Sequence, residues 1–263
     1  MTEVELQGEV TMDSQNSTRV FDGSPRASKL MGRIGLILLS TDEVGGDAFT
    51  SIIPKNEISV FTTRTAYDHR GGGFSLSTSF AQVAGTLPPA GRVDVLAFSC
   101  TSGTVAMGAK SLLSELANAR PGLKYTSPAV AGLAALRDLK ARRIALLTPY
   151  RREVHRSFLP FFKENGFDIT ADGTFEKSTD ADIGELCRES IFEAATALVR
   201  SASPDALFVS CTATPVVPHI ADLEKEIGIP VVSSSQAMAW DALRLVGYRH
   251  SIDGFGSLLA STR

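Results

Sequence analysis

The chain has 263 residues, 43% hydrophobic and 21% charged, an ordinary globular composition long enough for one large or two average α/β domains. With 26 basic against 29 acidic residues its formal charge is only −3, which argues against nucleic-acid and membrane-surface partners. No apolar run reaches the ~20 residues of a membrane span, and the polar N-terminus lacks the basic-then-apolar pattern of an export signal, so a cytoplasmic protein is expected.

Residues 1–31 carry Asp, Ser, Asn, Thr and Pro without periodicity and read as a flexible N-terminal arm. From Arg33 onward, short β-branched and leucine-rich runs alternate with longer helical stretches, the pattern of parallel sheets flanked by helices. Strands are predicted at 33–39, 57–64, 93–100, 143–148, 167–171, 206–211 and 230–233. Helices are predicted at 104–119, 129–139, 153–165, 183–201, 216–227 and 236–245, several opened by Ser, Thr, Asp or Pro.

An internal duplication organises these elements. Laying Val93-Asp94-Val95-Leu96-Ala97-Phe98-Ser99-Cys100-Thr101 on Pro204-Asp205-Ala206-Leu207-Phe208-Val209-Ser210-Cys211-Thr212 takes a shift of 211 − 100 = 111, and Asp, Leu, Ser, Cys and Thr coincide. A shift of 143 − 33 = 110 superposes Arg33-Ile34-Gly35-Leu36 on Arg143-Ile144-Ala145-Leu146. The expected architecture is therefore two Rossmann-like domains, each a parallel sheet flanked by helices, related by a pseudo-twofold axis. Their expected spans are 32–142 and 143–245, with 246–263 packing back on the N-terminal domain. Ligands of open α/β sheets bind at the carboxyl ends of the strands, where Cys100 and Cys211 both fall.

Each of these cysteines ends a buried apolar strand just before a predicted helix, whose free N–H groups and positive dipole end favour a thiolate, so thiol pKa values lowered toward neutrality are expected. Thr101-Ser102-Gly103 and Thr212-Ala213-Thr214 follow, small and hydroxyl-rich enough for amides and hydroxyls to hold a carboxylate. Two acid/base groups on opposite faces of one carbon can take a proton from one side and return it on the other; alternatively one thiol adds to a double bond. A lone cysteine is usually a small core residue, the reading kept for Cys187 inside 183–201. No metal is expected, because His69, His155, His219 and His250 have no partners at ligand spacing, and no dinucleotide, phosphate-loop or serine-hydrolase motif is present.

The segments Ser99-Cys100-Thr101-Ser102-Gly103-Thr104, Leu147-Thr148-Pro149-Tyr150 and Ser210-Cys211-Thr212-Ala213 resemble signatures of the aspartate/glutamate racemase superfamily. The similarity lies in the branch of maleate cis-trans isomerases and arylmalonate decarboxylases, nearest the ectoine-utilisation protein A group, and covers about residues 32–250. It implies an interdomain active site without metal or organic cofactor, with Cys100 and Cys211 as catalytic thiols. Thr101, Ser102 and Tyr150 match positions that bind a substrate carboxylate. Decarboxylase members carry Gly where this chain has Cys100, which favours an isomerase or racemase. Maleate isomerases place Asn where Asp42 and Asp180 stand here. An ionised Asp repels a dicarboxylate but pairs with a cation, which favours an amino-acid-like or ectoine-type substrate over a maleate-like one. For Asp180 a helix-capping role ahead of 183–201 is the competing reading.

The expected activity is thus that of a cofactor-independent two-cysteine racemase or isomerase on a small carboxylate. An arylmalonate-type decarboxylase with Cys211 as proton donor is the alternative, and a non-catalytic small-carboxylate binding protein is the alternative from another class. Substrate-binding residues are expected at Asp42, Thr101, Ser102, Tyr150, Asp180, Thr212 and Ala213, and assembly into a homo-oligomer is compatible with the sequence. Gly71-Gly72-Gly73 reads as a surface loop able to hinge a lid, and Arg151-Arg152 as solvated charges. His219 reads as partly buried, and of Met238 and Trp240, at i, i+2 spacing, at most one is expected in the core.

Overall fold

The computed structural model describes residues 21–24, 30–68, 74–89 and 91–261. Most of the expected N-terminal arm, His69 and the Gly71-Gly72-Gly73 hinge lie outside them. In the first half β1 (Gly32–Leu39), α1 (Gly45–Ile52) and β2 (Ile58–Thr65) are followed by a short hairpin, β3 (Tyr67–Asp68) with β4 (Ser75–Leu76). Then come α2 (Phe80–Gly85), β5 (Val95–Ser99), α3 (Thr101–Met107), α4 (Ala109–Ala119), β6 (Lys124–Thr126) and α5 (Pro128–Asp138). The second half runs β7 (Arg143–Tyr150), α6 (Arg152–Glu164), β8 (Asp168–Lys177), α7 (Asp180–Gly184), α8 (Arg188–Ala202), β9 (Ala206–Val209), α9 (Ile220–Ile227), β10 (Val231–Ser233), α10 (Ser234–Val246) and α11 (Ser257–Ala260).

Two four-stranded parallel sheets result, ordered β2-β1-β5-β6 and β10-β9-β7-β8, so the fold is α/β as expected. The duplicated residues do the same work in both. Asp94 Oδ2 accepts the N–H of Arg33 at 2.8 Å, and Asp205 Oδ2 accepts that of Arg143 at 2.8 Å, tying each β5 or β9 strand to the start of its central neighbour. The period-2 alternation of β1 splits its side chains between two cores. Ile34, Leu36 and Leu38 join a large cluster shared by both sheets, whereas Ile37 and Leu39 pack with Leu96, Phe98, Leu112 and Leu116 under α2 and α4.

The shared core exists because the halves interlock. Helix α10 lies against α1, α5, β5 and β6, and Val246 at its end packs on Gly32 of β1. Helix α5 in turn meets α10 and β10, and Phe208 of β9 sits against Gly132, where a Cβ would come within 2.5 Å of the ring. Helices α5 and α10 thus each pack on the sheet of the other half. Enclosure on all sides buries both Met238 (0% exposed) and Trp240 (6%), correcting the expectation that at most one would be core.

Two other expectations change. The helix foreseen at 104–119 starts at Thr101 and breaks at Gly108, whose φ is +80°. The helix foreseen at 183–201 becomes α7 and α8, and Cys187 is the exposed N-cap residue of α8 instead of a core residue. The C-terminal segment starts against the N-terminal sheet, where Val246 packs on Gly32 of β1, and continues on the second half: Ser257 gives its N–H and hydroxyl to Glu224 of α9, each at 2.8 Å, and Phe255 O accepts Gln236 Nε2 at 2.6 Å. Among the described residues no helix is long and apolar enough to cross a membrane.

Candidate active site

The carboxyl ends of the two sheets enclose a cleft of about 450 Å³ lined by both Cys100 and Cys211. Cys100 follows β5 in extended conformation and is the N-cap of α3, and its Sγ accepts the N–H of Gly103 at 3.2 Å. Ser102 Oγ lies 3.7 Å from the same sulfur. Gly103 is required there, because a Cβ would lie 2.7 Å from Phe74 Cζ and 3.0 Å from Cys100 Sγ. Thr101 and Ser102 open α3, so their backbone N–H groups have no intrahelical acceptor and face the cleft end of the helix.

Cys211 is held differently. It precedes a turn rather than a helix, and its φ of +79° is a left-handed conformation that costs about 1–2 kcal/mol in a side chain-bearing residue. The Ala213 N–H and the Tyr150 hydroxyl hydrogen-bond its sulfur. Tyr150, 7% exposed at the end of β7, stacks on Phe158 at 5.3 Å and also places its hydroxyl 3.2 Å from Ser210 Oγ. The tyrosine therefore serves the Cys211 side of the cleft.

Burial dominates the thiol electrostatics. It pushes Cys100 up to about 12, with Asp180 and Asp42 adding to the rise and the Gly103 and Ser102 hydrogen bonds opposing it. Burial likewise raises Cys211 well above the ordinary thiol range, again reinforced by Asp180 and Asp42. The expected lowering is thus overturned: desolvation and two carboxylates outweigh the helix end and the amides. Both thiols are protonated at neutral pH, and burial holds the Tyr150 hydroxyl protonated as well.

Asp42, 2% exposed, accepts the Val44 and Gly45 N–H groups at 3.0 and 2.7 Å through Oδ1 and the Thr212 hydroxyl at 2.8 Å through Oδ2. It thereby ties the loop after β1 to the loop of the second cysteine. Asp180 does not cap α7; Thr179 does, accepting the Asp182 N–H at 3.1 Å. Asp180 instead accepts from the Thr41 hydroxyl and, at 3.5 Å, from Tyr67. Thr101 donates its hydroxyl to Ser234 Oγ at 2.9 Å, so this hydroxyl and that of Thr212 are engaged within the protein.

Of the residues foreseen for the site, only Ala213 stays off the cleft wall, contributing through its N–H to Cys211. His219 is not among the lining residues, while Arg151 is, paired with Glu153 at 3.9 Å; Arg152 turns outward to Glu176 at 3.0 Å. Tyr67 and Phe74, stacked at 5.6 Å on the hairpin, were missed, as was Lys177. Two-residue strands carry no periodicity to announce them. Among the described residues no three His, Cys, Asp or Glu side chains converge as metal ligands.

The arylmalonate decarboxylase family (Amdase) matches residues 79–259, most of the chain and both cysteine segments. The chain belongs to this family. The maleate isomerase of Nocardia farcinica is 29% identical over 245 residues, 86% of this chain and 95% of that protein. The arylmalonate decarboxylase of Bordetella bronchiseptica is 34% identical over 134 residues, 48% of this chain and 53% of that one. Among solved structures, a maleate cis-trans isomerase variant from N. farcinica with a covalently bound succinylcysteine intermediate superposes with a TM-score of 0.73 at 25% identity, over 87% of this chain and 98% of that one. Unliganded arylmalonate decarboxylase shares the fold, with a TM-score of 0.71 at 22% identity over 87% and 98% of the two chains. These relatives support a cysteine-based isomerase or decarboxylase.

Labelling experiments on the site must deal with Cys187. Its sulfur is exposed, 3.2 Å from Ser190 Oγ, and the hydrogen bonds of Ser190 lower its pKa. Iodoacetamide at neutral pH should modify Cys187 first, with Cys100 and Cys211 at least ten times slower. Peptide mass mapping after limited alkylation checks this, and early modification of Cys100 or Cys211 would contradict the raised thiols.

Proposed function

We propose that the protein is a cofactor-independent isomerase or racemase whose two thiols act on opposite faces of a small carboxylate. The observation that carries the reading is the convergence of Cys100 and Cys211, from matching strand ends of the duplicated halves, on one cleft. The substrate carboxylate is held by the first-turn N–H groups of Thr101 and Ser102, where the partial positive charge of α3 is concentrated. A cationic group beside that carboxylate faces Asp180 and Asp42. These two carboxylates favour an amino-acid-like or cyclic amidinium substrate, ectoine type included, over a dianion such as maleate.

Two chemistries fit. In proton exchange, one thiolate takes the α-hydrogen as the C–H bond breaks, the electron pair delocalises onto the bound carboxylate, and the opposite thiol delivers its proton to the other face. One S–H forms and one is lost, so the two sulfurs trade protonation states. In covalent isomerisation, one thiolate adds to a C=C bond while the other thiol protonates the neighbouring carbon; rotation and elimination then regenerate both. The succinylcysteine intermediate in the maleate isomerase relative favours this second route for an unsaturated substrate. Decarboxylation is disfavoured by Cys100, which a single protonation by Cys211 does not require.

Incubating the protein in D2O with a panel of small carboxylates tests the reading by proton NMR. Deuterium should enter at the carbon next to the carboxylate, or a cis double bond should become trans. Loss of CO2, with deuterium entering only at the carbon the CO2 left, would make the protein a decarboxylase, and inertness toward the whole panel, amino acids and amidines included, would leave the binding-protein alternative.

A further inference from the structure

Tyr150 is the last residue of β7, and the ladder to β8 shifts register just before it, Thr148 pairing with Thr174 and Tyr150 with Lys177. Pro149 between them has no N–H to give, and Glu176 in the bulged stretch takes a left-handed φ of +53°. Apart from the Thr174 hydroxyl, which donates to Tyr150 O, backbone pairing holds the end of β7 loosely. Helix α6 follows at once without a side-chain cap at its N-cap residue Arg151, although Val154 and Ser157 of its first turns line the cleft and its Phe158 stacks on Tyr150. Something else must fix both.

His155 joins these ends. Its ring is buried, with Nδ1 2.9 Å from the Thr148 hydroxyl and Nε2 2.7 Å from Asp172 Oδ2. A neutral ring that donates its Nε2–H to the carboxylate accepts the Thr148 hydroxyl at Nδ1, so one tautomer satisfies both nitrogens. Three elements meet in this chain of bonds: β7 through Thr148, α6 through His155 and β8 through Asp172. Thr148 is buried as well, and none of the three side chains lines the cleft. The cluster therefore acts on the site only through what it holds.

We infer that His155 is a positioning residue, which clamps α6 to β7 and β8 and so aims the Tyr150 hydroxyl at Cys211. The link runs through two contacts: Thr148 lies two residues before Tyr150 on the same strand, and Phe158, one turn after His155, packs on the tyrosine ring. The Tyr150 hydroxyl in turn favours the Cys211 thiolate against the burial that opposes it. This rests on the reading that Cys211 acts in the cleft, and it concerns that thiol alone. Cys100 is held instead by Gly103 and Ser102.

Alkylation of the two thiols tests this without turnover, in the Cys187→Ser protein near pH 9. Tyr150→Phe should slow iodoacetamide labelling of Cys211 roughly fivefold, the loss of one hydrogen bond to a thiolate, and leave Cys100 unchanged. Thr148→Val, which breaks the clamp at β7, should slow Cys211 by about two- to threefold. Asp172→Ala breaks it from the half-exposed side of β8, where a substitution is well tolerated, and should do the same. Asp172→Asn keeps an acceptor for Nε2–H and should restore the original rate. Added to Tyr150→Phe, neither Thr148→Val nor Asp172→Ala should slow Cys211 further, because the hydroxyl they act through is already gone. Faster labelling of Cys211 in Thr148→Val and Asp172→Ala, or unchanged labelling in both, overturns the inference, as do losses that add to that of Tyr150→Phe. A protein that shows the expected pattern yet is inert toward every small carboxylate would lose the proposed activity and keep the clamp.

Discussion

Cys100→Ala and Cys211→Ala should each cut turnover by about 10²–10⁴-fold, the usual worth of a positioned acid or base. The two losses differ in kind if protons are exchanged across one carbon. Each variant then keeps one thiol on one face and can still wash deuterium into the enantiomer whose α-hydrogen points at that sulfur, without inverting it. Cys100→Ala and Cys211→Ala should therefore label opposite enantiomers. Covalent isomerisation predicts another pattern, in which loss of the adding thiol silences the reaction and loss of the protonating thiol only slows it. The surroundings of the sulfurs make such division of labour plausible on physical grounds: Cys211 receives the Tyr150 hydroxyl and the Ala213 N–H, Cys100 the Gly103 N–H and the Ser102 hydroxyl. Deuterium incorporation into each pure enantiomer by both variants settles which pattern holds. Unchanged turnover in both would make the cysteines structural.

The cysteine pair was legible because duplication is a pattern of identities at a fixed offset, and strand-end positions that match in two similar sheets end on the same rim. Asp94 and Asp205 show how local that information is: each matched carboxylate binds the N–H that starts the neighbouring strand. The exchange of α5 and α10 was not legible, since amphipathicity marks which face of a helix is buried and is silent about which sheet buries it. The same blindness explains Met238 and Trp240, buried together because α10 is enclosed on every side. Tyr67 and Phe74 escaped because a hairpin of two-residue strands has no period. Cys187 was placed inside a helix because the polar residues around it continue the helical pattern on both sides of the break. The thiol pKa values were misjudged for a different reason. A helix end and nearby amides can be read from spacing, but the desolvation that outweighs them is a property of the closed cleft.

Asp180→Asn should make both buried thiols more reactive. The Asp180 carboxylate raises Cys100 and Cys211 because a thiolate forming in the cleft meets a like charge through poorly screened surroundings. With that charge removed, the thiolate is less penalised and both pKa values fall. Below the pKa, alkylation is proportional to the thiolate fraction, so the fall raises the rate at fixed pH, by roughly several-fold. Measured in the Cys187→Ser background near pH 9, iodoacetamide labelling of Cys100 and Cys211 should therefore speed up in Asp180→Asn, and the whole pH–rate curve should move toward lower pH. An unchanged or slower rate would mean that the Asp180 charge does not reach the sulfurs. A bound cation does by association what the substitution does by chemistry: an amino or amidinium group beside Asp180 and Asp42 neutralises the same field and draws the thiols down toward the pH at which one of them can act as a base. The substrate would thus activate the group that attacks it, and Asp180→Asn should gain thiol reactivity while losing affinity for cationic carboxylates.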